Sequence, residues 1–256
     1  MTDNLNQTAQ QYDAPQDLLK DKVILVTGAG DGIGKTAALT YAAHGAQVIL
    51  LGRTQKKLEA VYDEIVEAGG ARPSIAVMDF RTAQPDEYQN LANSIEEEFG
   101  RLDGLLHNAG RLGERAPIDQ YPVGTFMEVM HINVNAQFVL TRVLFPALKQ
   151  APSASIVFTS SGVGRKGRAY WGAYAVSKFA TEGLMETLAD EQGEVSNVRV
   201  NCINPGATRT NMRAAAYPGE DPESLKTPQD IMAPYLYLMG EDSSDTNGQS
   251  IDCQSK

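Results

Sequence analysis

Cysteine is scarce in this chain of 256 residues: Cys202 and Cys253 are the two, and their spacing offers neither a disulfide framework nor a metal-ligand set. They read as reduced thiols of a cytoplasmic protein, and no metal site is expected. Positive charge is also short, with 22 Lys and Arg against 32 Asp and Glu and a net charge of −10. A nucleic-acid partner needs clustered cations to displace phosphate counterions, so that class is set aside. Nowhere do about eighteen apolar residues follow one another, which leaves no candidate membrane span. The first seventeen residues contain no Lys or Arg and no apolar stretch of the kind a secretory leader carries. Residues 1–19 are therefore expected to form a flexible tail.

What the chain does have is alternation. Apolar runs at Val23–Thr27, Gln47–Leu51, Ser74–Met78, Gly104–His107, Ser155–Thr159, Val198–Ile203 and Ser250–Asp252 are mostly unbroken Val/Ile/Leu, as in strands covered on both faces. Between them lie stretches long enough for crossover helices: Ile33–His44, Gln55–Ala68, Asp86–Phe99, Val123–Lys149, Gly172–Glu191 and Pro228–Met239. The pattern predicts an α/β fold, a Rossmann-like doubly wound parallel sheet of about seven strands with helices on both faces, in one domain over residues 20–256. Residues 211–227 lack clear periodicity and are expected to form a substrate lid near the carboxyl ends of the late strands.

Directly after the first strand stands Thr27-Gly28-Ala29-Gly30-Asp31-Gly32-Ile33-Gly34. Gly28, Gly32 and Gly34 make a Gly-x-x-x-Gly-x-Gly turn rather than the common Gly-x-Gly-x-x-Gly, in which Ile33 would have to be glycine. Such a strand-to-helix turn lets backbone approach a pyrophosphate and aims helix N–H groups at it. A tight connection with no ligand is the plain alternative, and the flanking strand and helix weigh against it. Gly34-Lys35-Thr36 supplies the end of a P-loop, but Ala29 sits where the first P-loop glycine belongs, so that reading fails by one position.

The second constellation is Ser161, followed thirteen residues later by Tyr174-Ala175-Val176-Ser177-Lys178. With ten tyrosines and ten lysines in the chain, a Tyr-x-x-x-Lys pair arises by chance about 0.4 times, so context must carry it. Residues four apart share a helical face, and a lysine ammonium beside a phenol is expected to lower its pKa. Ser160, Tyr170, His107 and His131 lie nearby and read as structural. With the glycine turn, the set points to nucleotide-dependent redox chemistry at a carbonyl or alcohol.

Taken together these motifs resemble those of the short-chain dehydrogenase/reductase family, over nearly all of residues 20–252. The family's Asn-Asn-Ala-Gly motif corresponds to His107-Asn108-Ala109-Gly110, with histidine for the first asparagine. The resemblance implies a bound nicotinamide nucleotide with Gly28, Asp31, Gly32, Ile33 and Gly34 in the glycine motif, Asp79 on the adenine side and Asn108 in a structural role. It further implies Pro205, Gly206 and Thr210 at the nicotinamide carboxamide. In catalysis it implies Tyr174 as general acid/base and Ser161 bonded to the same substrate oxygen. Lys178 would hold the ribose hydroxyls, and Asn133 would anchor a water. The stretches Val123–Lys149 and Gly172–Glu191 resemble the family's interface helices, implying a homodimer or homotetramer.

Cofactor choice is read at the end of the second strand, Leu50-Leu51-Gly52-Arg53. An NAD-specific unit places a carboxylate there for the ribose 2′-hydroxyl, whereas here Gly52 leaves the place empty and Arg53 offers paired donors suited to a 2′-phosphate. NADP is therefore expected over NAD, with Asp31 as the residue that opposes it. Arg165, Lys166, Arg168, Arg209 and Arg213 gather near the expected site mouth, which suggests a small carbonyl or alcohol substrate bearing a negative or strongly polar group. The alternatives are a catalytically silent nucleotide-binding or redox-sensing protein, which would be expected to lose Ser161, Tyr174 or Lys178, and a methyltransferase, which leaves those residues unexplained.

Overall fold

Seven strands form one sheet, all neighbours parallel, in the order β3-β2-β1-β4-β5-β6-β7. They are β1 Val23–Thr27, β2 Gln47–Gly52, β3 Ser74–Val77, β4 Gly104–His107, β5 Ala154–Thr159, β6 Val198–Asn204 and β7 Ser250–Asp252. The computed structural model describes residues 2–193 and 196–255. Every residue of β1, β4 and β5 is buried, as unbroken apolar runs require when helices cover both faces. Edge strand β3 instead alternates, with Ile75 and Val77 exposed.

The helices are α1 Thr2–Gln10, α2 Gly32–Ala43, α3 Gln55–Glu67, α4 Pro85–Phe99, α5 Val123–Met130, α6 Ala136–Gln150, α7 Gly172–Gln192, α8 Asn211–Ala216 and α9 Met232–Met239. One face of the sheet is closed by α1, α2, α3 and α9 through residues such as Tyr41, Leu58, Ile65 and Tyr235. The other is closed by α4, α6 and α7 through Tyr88, Ile95, Leu140, Leu144 and Met185. Burial of this many large apolar side chains, at about 1.5–3 kcal/mol each, is what holds the layers together.

Three local features depart from the sequence reading. The segment expected as a tail is a helix: α1 packs on α9 and β7, and Ala9 and Leu19 are fully buried. Asn6 Oδ1 accepts the Asp252 amide at 2.9 Å, and Gln10 Nε2 donates to the Asp252 carbonyl at 2.7 Å, so amide side chains dock this helix along the last strand. The long helix expected over Val123–Lys149 is interrupted by a π-helical turn, His131–Asn135. Inside the expected lid, Asn211–Ala216 is helical, capped by the Thr210 hydroxyl, which accepts from the Arg213 amide at 3.1 Å.

After β3 the chain crosses back to place β4 on the far side of β1, so the crossover direction reverses between β1 and β4. At such a switch point the loops leaving the two strands diverge, opening a crevice at their carboxyl ends.

Candidate active site

A cleft of about 640 Å³ occupies that crevice, a size suited to a nucleotide with a small substrate. It is bordered by the loops after β1, β2, β4, β5 and β6 and by α8. Of the residues singled out by sequence, Gly28, Asp31, Gly32, Ile33, Arg53, Asp79, Asn108, Ser161, Tyr174, Lys178, Pro205, Gly206 and Thr210 all border it. Gly34 and Asn133 are buried behind its wall.

The glycine turn is built for close approach. Gly28 has φ +69°, and a Cβ there would stand 3.1 Å from the Asn108 side chain and the Ala109 backbone. At Gly34 a Cβ would fall 2.3 Å from the Gly28 carbonyl oxygen, so no side chain fits where helix meets strand. The β1 end is tied to the β4 end through Thr27, whose Oγ1 accepts the amides of Asn108 (2.9 Å) and Ala109 (3.0 Å). Asn108 Nδ2 donates back to the Thr27 carbonyl at 3.3 Å. The structure thus presents a rigid cradle at the amino end of α2, where backbone N–H groups attract a phosphate.

At the far end of the cleft Arg53 is exposed. Asp31, which argued against a 2′-phosphate, is paired with Lys57 Nζ at 2.6 Å and accepts from Asn211 Nδ2 at 3.2 Å. The hydrogen bond from Lys57 is the largest cause of its lowered pKa. Lys57 was not singled out by sequence; its signal was the Lys56-Lys57 pair in the first turn of α3. Asp79 holds Arg81, accepting its amide at 3.0 Å.

At the other end, α7 carries Tyr174 and Lys178 one turn apart. Lys178 is 3% exposed, and its Nζ donates to the Thr159 carbonyl at 2.6 Å. It lies 5.5 Å from the centre of the Tyr174 ring. Burial pushes the Tyr174 phenol up to about 12, with a hydrogen bond from Ser161 pulling the other way. The expected lowering by Lys178 is not what the unliganded site shows: desolvation dominates at the phenol, and the lysine ammonium is turned to the Thr159 carbonyl instead. Burial also lowers Lys178 to about 8, against the opposing effects of Cys202 and Glu182.

Ser161 leaves β5 as the cap of a single 3₁₀ turn. Ser160 points the other way, to the buried Glu182. Asn133 sits in the π-helical turn with its side chain fully engaged: Oδ1 accepts the Arg111 amide at 2.8 Å, and Nδ2 donates to the Arg111 carbonyl (3.0 Å) and to Ser177 Oγ (2.9 Å). It clamps the loop after β4 to α7. His107 stacks on Phe158 at 4.6 Å, meets Thr141 Oγ1 at 2.8 Å and is lowered to about 3 by burial, so it stays neutral. Both cysteines are free and buried, and the described residues hold no cluster of His, Cys, Asp and Glu able to bind a metal. No helix among the described residues is long and apolar enough to cross a membrane.

The cations expected to draw an anionic substrate are mostly occupied. Arg165 pairs with Asp252 at 2.6 Å, Arg209 with Glu223 at 2.9 Å and Arg213 with Glu220 at 2.6 Å. Of the five residues, Arg213 alone borders the cleft. Sequence reasoning missed the apolar wall instead: Leu112, Trp171, Met212 and Ala216 border this end of the cleft, and Trp171, Ala216, Leu112, Tyr174 and Tyr217 pack together.

A parallel sheet in this order, with serine, tyrosine and lysine gathered beside a glycine cradle, defines a nucleotide-dependent oxidoreductase of CH–OH and C=O groups. Residues 22–221 match the family model described as short chain dehydrogenase, and the chain belongs to that family. It is 54% identical to the oxidoreductase YciK of Escherichia coli (strain K12) over 243 residues, 95% of this chain and 96% of that protein. Two solved short chain dehydrogenase structures are similar throughout. One, from Shigella flexneri 2a strain 301 in complex with NADP, is 54% identical with a TM-score of 0.92, covering 94% of this chain and all (100%) of that one. The other, from Escherichia coli CFT073 in complex with NADPH, has the same identity (54%), TM-score (0.92) and coverage (94% and 100%).

Proposed function

We infer that this protein is an NADP-dependent reductase of an uncharged carbonyl compound, with Tyr174 as the general acid. The observation that carries the reading is the convergence of Ser161, Tyr174 and Lys178 with the glycine cradle in one cleft at the switch point. The donors fit the nucleotide: Gly28, Gly32, Ile33 and the amino end of α2 would receive the pyrophosphate, with Gly34 as the close helix–strand contact behind them. Asp79 would border the adenine, Lys178 would hold the nicotinamide ribose, and Pro205, Gly206 and Thr210 would border the carboxamide. Arg53 would face the 2′-phosphate, with Asp31 neutralised by Lys57. Similar proteins solved with NADP and NADPH support this choice.

When bound, NADP would supply the hydride. The chain's own residues place and protonate. Ser161 and Tyr174 would both bond the substrate oxygen, and Tyr174 would give it a proton as charge develops there. The phenol is protonated at neutral pH and so has a proton to give, and the negative charge developing on the substrate oxygen would draw it. Asn133 keeps the loop after β4 against α7 and so fixes the floor beneath Lys178. The apolar wall of Leu112, Trp171, Met212 and Ala216 would take the substrate's carbon skeleton, α8 serving as its lid.

The surface supports assembly. Val123, Met127, Phe138, Val176 and Phe179, on α5, α6 and α7, are each 43–77% exposed, an apolar patch of the kind a second copy covers. We read the protein as a homodimer through these helices.

The test is NADPH consumption against a panel of ketones and aldehydes, with Tyr174→Phe alongside. Turnover should fall at least about 100-fold in the variant while NADPH affinity stays within about twofold. A variant keeping more than about a tenth of the rate would remove Tyr174 from its role.

A further inference from the structure

Glu182 is a buried carboxylate, 8% exposed, with no part in the chemistry above. It lies four residues beyond Lys178 and eight beyond Tyr174, so the three side chains follow one another along one face of α7. Its Oε1 accepts from Ser160 Oγ and from Ser250 Oγ, the latter at 2.9 Å, and stands 3.6 Å from Arg165 Nε. Arg165 continues to Asp252 at 2.6 Å. Two cations and two anions thus run from the active-site lysine to the last strand, Lys178, Glu182, Arg165 and Asp252 in that order.

The surroundings of Lys178 show why this matters. From α7 it faces Tyr174 and Glu182, from β5 the Thr159 carbonyl, and from β6 Cys202. The backbone of Gly164 packs against its Cβ and carbonyl, and Arg165 acts from that same turn across Glu182. Burial holds both Tyr174 and Cys202 above their ordinary ranges, so both are neutral while Lys178 titrates. Glu182 is left as the negative charge that offsets an ammonium removed from water. A cation this deep with a carbonyl alone as partner sheds its proton readily.

We propose that Glu182 is a positioning residue that keeps Lys178 charged and the Ser160–Ser161 corner fixed, with Arg165 opposing it from the other side. The proposal rests on the reading of Lys178 as the residue that holds the nicotinamide ribose. It assigns the two outer charges opposite effects on one group. Loss of Glu182 removes the favourable neighbour and should lower the pH at which Lys178 deprotonates. Loss of Arg165 removes a like charge and frees Glu182 to act on the lysine alone, and should raise it.

The experiment measures NADPH binding by fluorescence across about pH 7 to 10, the range in which the lysine changes charge. Wild type should bind more weakly as pH rises. Glu182→Gln should move the midpoint of that weakening down by about one pH unit, Arg165→Met should move it up by about half a unit, and Glu182→Asp should bring it back toward wild type. Midpoints unmoved, or moved in the same direction by both variants, would overturn the proposal, since a merely structural role lowers binding without opposed midpoints. Should Glu182→Gln fail to fold, Glu182→Asp and Arg165→Met decide the question, the first moving the midpoint slightly down and the second up. Lys178→Met separates the two readings. If it binds NADPH as well as wild type, the ribose contact itself is wrong; if it binds poorly while the opposed shifts are missing, Glu182 and Arg165 alone are misassigned.

Discussion

Replacing Lys178 with methionine should stabilise the unliganded protein, and by an amount that depends on pH. The lysine is 3% exposed, and burial, opposed by Cys202 and Glu182, lowers its pKa from 10.5 to about 8. At 1.36 kcal/mol per pKa unit, that difference is worth about 3 kcal/mol. The folded pKa is depressed, so the folded state carries the full penalty below about pH 8, where both states are protonated, and sheds it between about pH 8 and 10.5. Methionine of similar length removes the penalty but withdraws the donor from the Thr159 carbonyl, a loss of about 1 to 2 kcal/mol. Lys178→Met should therefore be more stable than wild type by roughly 1 to 2 kcal/mol at neutral pH, or about 2–8 °C in Tm. The advantage should shrink through zero as pH rises toward about 10.5. Urea unfolding of both proteins at matched pH values gives the difference directly, cancelling the titration of every other group. A difference that does not change with pH, or a variant less stable than wild type at pH 7, would refute the argument that desolvation dominates this lysine.

Other changes test other parts of the molecule. Arg53→Ala should weaken NADPH binding about tenfold, near 1.5 kcal/mol for a charge-assisted contact, and leave NADH nearly unchanged; equal losses for both cofactors would remove Arg53 from the 2′-phosphate. If the proposed homodimer forms through these helices, Phe179→Asp together with Val176→Asp should leave monomers by light scattering, and an unchanged mass would place the interface elsewhere. Asn6→Ala combined with Gln10→Ala should lower stability by about 1 to 3 kcal/mol and expose the Asp252 amide to hydrogen exchange; full protection in the double variant would mean that α1 does not hold the last strand.

The sheet was legible because its strands are buried on both faces, and the Val/Ile/Leu runs of β1, β2 and β6 leave no other reading. The glycine turn was legible for a steric reason, since the contacts that a Cβ would make at Gly34 and Gly28 permit no substitute. Spacing also placed Tyr174 and Lys178 on one face. It could not give the depth at which they lie, and depth reverses the sign expected for the phenol. Helix α1 was hidden because it docks through amides: Asn6 and Gln10 look like tail residues until the Asp252 backbone is beside them. Lys57 and Glu182 were missed for a related reason. Each is a charge on a helix whose own sequence does not name its partner, and that partner, Asp31 or Ser160, lies in another element.

Charge near a site mouth is a poor guide to substrate until the partners of that charge are known. Arg209 just before α8 and Arg213 within it would, on sequence grounds, draw an anion. In the fold each finds a carboxylate in the segment 211–227, Glu223 and Glu220, so the positive charge is taken up in holding that segment's shape. Arg213 also lies over the Tyr217 ring at 3.9 Å, and Arg115 lies over Trp171 at 5.1 Å and Tyr217 at 5.0 Å while donating to the Ala216 carbonyl. Arg115 supports the aromatic side chains from outside the cleft, while Arg213 borders it beside Trp171, Met212 and Ala216 with its charge already paired to Glu220. An anionic substrate would have to break such a pair or enter an apolar wall without a counter-ion, at a cost of several kcal/mol. A neutral ketone or aldehyde would meet neither obstacle: on the proposed reading its one polar atom would fall to Ser161 and Tyr174 and its carbon skeleton to the wall.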